Sequence, residues 1–253
     1  MTTVVVTRPA DQADELVDAL QQRGFNVRRQ PLIDIEPVSD DEQAARSGLR
    51  QRILDLDQYR AVIAISANAA STGLEWLDRY WPQPPLAIDW YAVGPSTAEV
   101  LRAEGLNVHM PESRFDSEGV LALPGLQADS ICGEKVLIWR GVGGRETLAA
   151  VLRERGADVH YAELYQRRQI DWGTECWQQT LADDPVLMLS SSQALDIVEQ
   201  QVPDLAQRIT TLVLPSERIA HIAEAKGYRR VLVAASARDE DMLLCLQDGL
   251  QQE

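Results

Sequence analysis

Apolar and polar positions along this chain fall into blocks that recur in a fixed order. Residues 135–165 begin with the apolar run Val136-Leu137-Ile138-Trp139 and turn through the glycine-rich segment 140–146. They continue with helical spacing to a stop at Gly156 and end in a second extended run. Residues 3–33 follow the same plan. Val4-Val5-Val6 form the strand, a turn starts at Thr7, and Leu16, Val17 and Leu20 supply the buried face of a helix. That helix stops at Gly24, and the second strand begins at Asn26. Residues 61–77 resemble 185–202: each is an apolar strand ending in small hydroxyl or amide residues, followed at once by a helix. Residues 91–111 resemble 212–234: each has a strand, a Pro-Ser turn, a helix stopped by Gly105 or Gly227, and another strand. With the three blocks designated A, B and C, the chain reads A, B, C, A, B, C. A period of more than a hundred residues indicates two duplicated domains rather than a solenoid. Alternating strands and helices imply an α/β fold with parallel sheets covered by helices on both faces.

The segments between blocks carry their own expectations. Residues 28–38, with Pro31 and Pro37, and residues 164–172 are extended runs that leave a block A and feed a block B. Proline confines the first to a sheet edge or a crossing, and the two runs are expected to pair as an antiparallel ribbon joining two bodies. Residues 40–57 read as a polar helix with few apolar anchors, mostly solvated. Trp76, Tyr80, Trp81 and Trp90 are expected to pack under a proline-rich loop. Thr7 is expected to cap the first helix with Pro9 at its first position, and the Ser96 and Thr97 hydroxyls to cap the helix that follows them.

Composition narrows the function. The formal net charge of −15 argues against a nucleic-acid partner, whose mark is a basic footprint. It leaves room for a small anionic substrate opposed by local donors. The longest apolar runs are strand-length, so no membrane span is expected. The first residues lack a basic stretch before an apolar core, so a cytoplasmic location is the expectation. Cys132, Cys176 and Cys245 are odd in number and scattered, and His109, His160 and His221 lack ligand-spaced companions. Neither a disulfide framework nor a metal site is expected.

Ligands of such sheets bind beyond the carboxyl ends of the strands, where helix beginnings point backbone N–H groups outward. Here those ends carry Thr7 and Arg8; Ser66 and Asn68; Gly94, Ser96 and Thr97; Arg140, Gly141, Gly143, Gly144 and Arg145; Ser190, Ser191 and Ser192; and Ser216. A serine or threonine at a helix start is most often only a cap. Repetition of small donors at six strand ends nevertheless describes a surface for anions held by main-chain amides. The dinucleotide fingerprint is not met, because Glu146 stands where its third glycine belongs.

The segments 7–16, 65–77, 91–105 and 139–159, with 163–168 and the serines after Leu189, resemble the uroporphyrinogen-III synthase family over essentially the whole chain. The resemblance implies two α/β domains, residues 1–35 with 172–253 and residues 38–166, joined by a two-stranded linker at 34–38 and 166–172. It implies cofactor-free cyclisation of hydroxymethylbilane, a linear tetrapyrrole with eight carboxylates, with loss of water and inversion of ring D. Tyr165 matches the family's cleft-facing tyrosine and is the candidate to help the hydroxyl leave. A phenol of ordinary pKa, about 10, is protonated at neutral pH and can donate. Ser66, Thr97, Ser191 and Ser216 are carried over as carboxylate binders, and Arg8, Arg140 and Arg145 as partners for propionates. A monomer is expected. A two-domain module that binds an anion without chemistry, and a flavin or nucleotide enzyme, remain as alternatives.

Overall fold

A computed structural model of the chain describes residues 1–39 and 48–251. Its strands, in chain order, are β1 (Thr3–Val6), β2 (Asn26–Arg29), β3 (Ile33–Pro37), β4 (Ala61–Ala64), β5 (Asp89–Ala92), β6 (Val108–His109), β7 (Lys135–Gly141), β8 (Asp158–Gln169), β9 (Val186–Met188), β10 (Thr211–Leu214) and β11 (Arg230–Val233). Two compact units are present: Met1–Asp34 with Arg168–Glu253, and Ile35–Arg167.

In the first unit the sheet runs β11-β10-β9-β1-β2, and all four of its pairings are parallel. Strand alternation sorts the core onto two faces. Val4 and Val6 point to the side covered by helices Asp14–Gln22 and Asp239–Gln251, with Leu16, Leu20, Met242 and Leu246. Val5 points to the other side, with Trp177, Leu195, Val198 and Ile219. In the second unit the order is β3-β8-β7-β4-β5-β6, and β8, β7, β4, β5 and β6 pair in parallel. Ala61, Ile63, Val136 and Ile138 face Leu148 and Leu152 of helix Thr147–Glu154. Val62, Ala64, Leu137 and Trp139 face the opposite layer.

The repeated blocks build the same arrangement twice from different starting points. Block A supplies β2-β1 in one sheet and β8-β7 in the other; block B supplies β9 or β4; block C supplies β10-β11 or β5-β6. The strand order therefore reverses beside β1 and β9 in one unit and beside β7 and β4 in the other, which is where such sheets open a crevice at their carboxyl edge. Beyond this shared plan, β3 lies next to β8. The Val38 amide donates to the Leu164 carbonyl at 2.8 Å, and the Ile170 amide to the Leu32 carbonyl at 2.9 Å. Partner numbers fall as residue numbers rise, so the sense is antiparallel.

Three local expectations are corrected. The helix expected over residues 40–57 lies partly outside the described residues, and its described part, Leu49–Leu54, is not mostly solvated. Leu49 and Ile53, four residues apart on one helix face, are fully buried, as is Leu56 in the 3-10 turn that follows. Thr7 caps no helix: a short 3-10 turn, Ala10–Gln12, intervenes before Asp14–Gln22. Ser96 and Thr97 lie inside helix Pro95–Ala103, whose N-cap is Gly94. With Pro95 as the first helical residue, the extended cap position falls one residue earlier.

The tryptophans pack inward. Trp76 and Trp90 are buried, and Trp90 meets Trp139 edge-on with centroids 5.3 Å apart. The Trp81 indole donates to the Ile53 carbonyl at 2.6 Å. Among the described residues, no helix is long and apolar enough to cross a membrane, and no group of three or more His, Cys, Asp or Glu is arranged to hold a metal ion.

Candidate functional site

In the second unit the carboxyl ends of β4, β7 and β8 bring Ser66, Gly141 and Tyr165 together. Ser66 is the N-cap of helix Ala67–Tyr80, with Oγ accepting the Ala69 amide at 3.1 Å. The Tyr165 hydroxyl lies 3.2 Å from the same Oγ, and either oxygen can be the donor. The Tyr165 ring is 2% exposed and fills the space a side chain at Gly141 would need, since a Cβ there would meet ring atoms at 2.8 Å. A bulge between Arg140 and Gly141 sets this approach: Arg140 pairs with Glu163, but Gly141 pairs with Tyr165. The Val142 amide then donates to the Tyr165 carbonyl at 2.7 Å.

Arg140 is folded back onto the glycine turn. Its guanidinium is 2% exposed and is used to brace the glycine turn. It bonds Glu146 at 3.0 Å, the Gly141 carbonyl at 3.3 Å and the Gly143 carbonyl, and stacks over Tyr161 at 4.5 Å. Glu146 also accepts the Tyr161 hydroxyl. That bond, with the one from Arg140, holds the Glu146 carboxyl below its ordinary range. Burial and then Glu146 push the Tyr161 phenol up. Gly143 and Gly144 have φ of +73° and +103°, a left-handed turn suited to glycine. The Gly143 amide is occupied by the Glu163 carboxylate at 3.2 Å. Arg145 is exposed. Asn68 lies in the first turn after Ser66. At the end of β5, a side chain at Gly94 would meet Phe115, Ser96 is exposed and Thr97 is buried.

In the first unit Ser191 repeats Ser66 closely. Both are extended N-caps, with φ and ψ of −160° and 163° against −159° and 161°, and both accept the amide three residues on at 3.1 Å. Ser190 and Ser192 flank Ser191 and are half-buried. Ser216 is the N-cap of helix Glu217–Ala225, with no side-chain cap bond. Two expected ligands are otherwise engaged. Thr7 is buried and donates to the Met188 carbonyl at 2.9 Å; Arg8 pairs with Asp239 and donates to the Ala237 carbonyl. Asp239 takes up Arg8, Glu146 and Tyr161 take up Arg140, and Glu163 takes up the Gly143 amide. Of these partners, only Glu146, at the third fingerprint position, carried a local signal.

What remains is a carboxyl edge of extended caps and first-turn helix amides in each unit, with a hydroxyl pair, Ser66 and Tyr165, at the switch point of one. Comparison with known proteins gives this edge a context. The family model described as uroporphyrinogen-III synthase HemD matches residues 14–243. The uroporphyrinogen-III synthase of Escherichia coli (strain K12) is 31% identical over 255 aligned positions, covering 97% of this chain and 100% of that protein. The one from Proteus mirabilis is 34% identical over 177 positions, covering 68% and 84%. Among solved structures, a mutant uroporphyrinogen III synthase from the extremely thermophilic bacterium Thermus thermophilus aligns with a TM-score of 0.62 at 16% identity, and uroporphyrinogen-III synthetase from Helicobacter pylori 26695 with 0.59 at 15%, each covering both chains fully. At those identities the structures speak for the fold, and the sequence matches speak for the family. This chain belongs to the uroporphyrinogen-III synthase family.

Proposed function

We propose that this enzyme of tetrapyrrole biosynthesis closes hydroxymethylbilane with inversion of ring D, and that Tyr165 assists departure of the terminal hydroxyl. The observation that carries this reading is the Tyr165 hydroxyl 3.2 Å from Ser66 Oγ, at the strand ends beside the switch point. One lone pair of Ser66 Oγ takes the Ala69 amide, which leaves its proton free to point at the Tyr165 oxygen. Tyr165 can then direct its own proton at the leaving hydroxyl, and Ser66 stabilises the charge left on the phenol oxygen. The hydroxyl departs as water, taking that proton, and leaves an electrophilic azafulvene in its protonated, cationic form. The substituted carbon of ring D attacks it, and the spiro-pyrrolenine so formed fragments and recloses with ring D inverted. A proton returns to Tyr165 when the last ring carbon loses its own.

Selecting the substituted carbon is positioning work. The helix beginnings at Ser66, Gly94, Ser191 and Ser216 are read as carboxylate sites, with Asn68, Ser96, Thr97, Ser190, Ser192, Gly143 and Arg145 beside them. Thr7, Arg8 and Arg140 are read as their supports. The extended caps and first-turn amides favour anions at each. Residues 34–38 and 166–172 are proposed as a two-stranded linker between domains 1–35 with 172–253 and 38–166. A monomer acting in the cytoplasm completes the reading. The test is incubation with freshly made hydroxymethylbilane and no added cofactor, followed by separation of product isomers. Type III product is expected, and type I alone would overturn the proposal.

A further inference from the structure

Gly143 is held at both of its backbone groups, which belong to successive peptides. Arg140 donates to its carbonyl, and its amide donates to a Glu163 carboxylate oxygen at 3.2 Å. The two partners are unlike. Arg140 is buried at 2% exposure, is tied to Glu146 and the Gly141 carbonyl, and is stacked on Tyr161. A side chain at Gly144 would strike it at 2.8 Å. Arg140 therefore holds the peptides on either side of the one that carries the Gly143 amide. The occupant of that amide is the end of a flexible, partly exposed side chain that makes this one hydrogen bond among the described residues. That occupant is itself a carboxylate, the group the turn is read to bind. Arg145, exposed and without a partner among the described residues, adds a cation at the same turn. Glu146 carries the other nearby negative charge; it is exposed, and its carboxylate is bonded by Arg140 and Tyr161.

We propose that Glu163 is a built-in competitor for a substrate carboxylate at the Gly143 amide, and so a determinant of how tightly the glycine turn takes substrate. The proposal rests on the reading of the strand ends as carboxylate sites. An incoming carboxylate must displace Glu163, so apparent affinity is lowered by the fraction of time the amide is free. Like-charge repulsion between the two carboxylates acts in the same direction.

The test compares steady-state kinetics on hydroxymethylbilane for the wild type, Glu163→Gln, Glu163→Ala and Arg145→Gln. Glutamine keeps the shape and an acceptor but removes the charge. Both Glu163 variants are expected to lower KM, by about fivefold if the amide is free roughly one fifth of the time, and Arg145→Gln to raise it. If Arg145→Gln raises KM while the Glu163 variants leave it unchanged or higher, the turn binds carboxylates without competition and the proposal is overturned alone. If no variant moves KM, the carboxylate reading of this turn falls with it. A second measurement covers poor folding of the variants. In the wild type, the Gly143 amide resonance is expected to shift as the octacarboxylate product is added, and an unchanged resonance at saturation overturns the proposal.

Discussion

The Tyr165 hydroxyl and Ser66 Oγ lie 3.2 Å apart although 99 residues separate them in the chain. The contact exists because β7 places β8 and β4 on its two sides and ends in a glycine. Gly141 lets the Tyr165 ring cross the end of β7 to reach the serine beyond it. Ser66 thus has two duties, capping a helix through Ala69 and orienting a phenol, and these can be separated by substitution.

Tyr165→Phe removes the hydroxyl and keeps the buried ring. If Tyr165 donates to the leaving hydroxyl, kcat is expected to fall on the order of 100-fold, the lower range for a general acid, with little change in KM. The measurement is initial rate of type III formation against substrate concentration. A variant with full rate would remove the acid role from Tyr165 and leave the remainder of the site as described.

Gly141→Ala tests the positioning of that ring. The new methyl would sit 2.8 Å from ring carbons, well inside contact distance, so the ring must move. A loss of kcat comparable to Tyr165→Phe is expected. The double variant should be no slower than the worse single one, because both act on one interaction. Independent, multiplying effects would show that Gly141 matters for some other reason.

Much of this was legible in the sequence because it is local. Strand and helix periodicity, the stops at Gly24, Gly105, Gly156 and Gly227, and the matched caps Ser66 and Ser191 all depend on residues a few positions apart. The side-chain partners were not legible, because they follow from sheet order. Thr7 spends its proton on Met188, 181 residues away, only because β1 lies against β9. Arg8 reaches Asp239 across 231 residues. Arg140 looked like a ligand because arginine in a glycine turn usually faces solvent. Here a bulge and the Tyr161 ring turn it inward. The block C repeats also hid a shift in register: Pro95 is the first helical residue of its helix, whereas Pro215 precedes the cap Ser216. The two Pro-Ser turns therefore present their serines differently.

Glu146 links stability to pH. Tyr161 and then Arg140 hold its carboxyl below the ordinary value of 4.5. A carboxyl depressed in the folded state stabilises the fold fully above its unfolded value, and that contribution is lost as pH falls through the folded one. Glu146→Gln is therefore expected to be less stable than the wild type at pH 7. The gap between their urea midpoints should shrink steadily as pH is lowered below 4.5. A gap that stays constant down to acid unfolding would mean that the loss comes from shape rather than charge.

Ser66→Asp and Ser191→Asp separate capping from substrate binding. Aspartate caps a helix as well as serine does, whereas alanine costs about 1 kcal/mol. Thermal midpoints should therefore stay near wild type for aspartate and drop for alanine. A fixed negative charge at either helix beginning opposes a substrate carboxylate approaching the same amides, so KM should rise for both aspartate variants although the fold is intact. The Ser66 variant should also lose kcat, because its hydroxyl no longer reaches Tyr165; Ser191 has no such partner among the described residues and should change KM alone. If Ser191→Asp leaves KM untouched, the first unit contributes no carboxylate site at that helix, and the duplicated cap there serves the fold only.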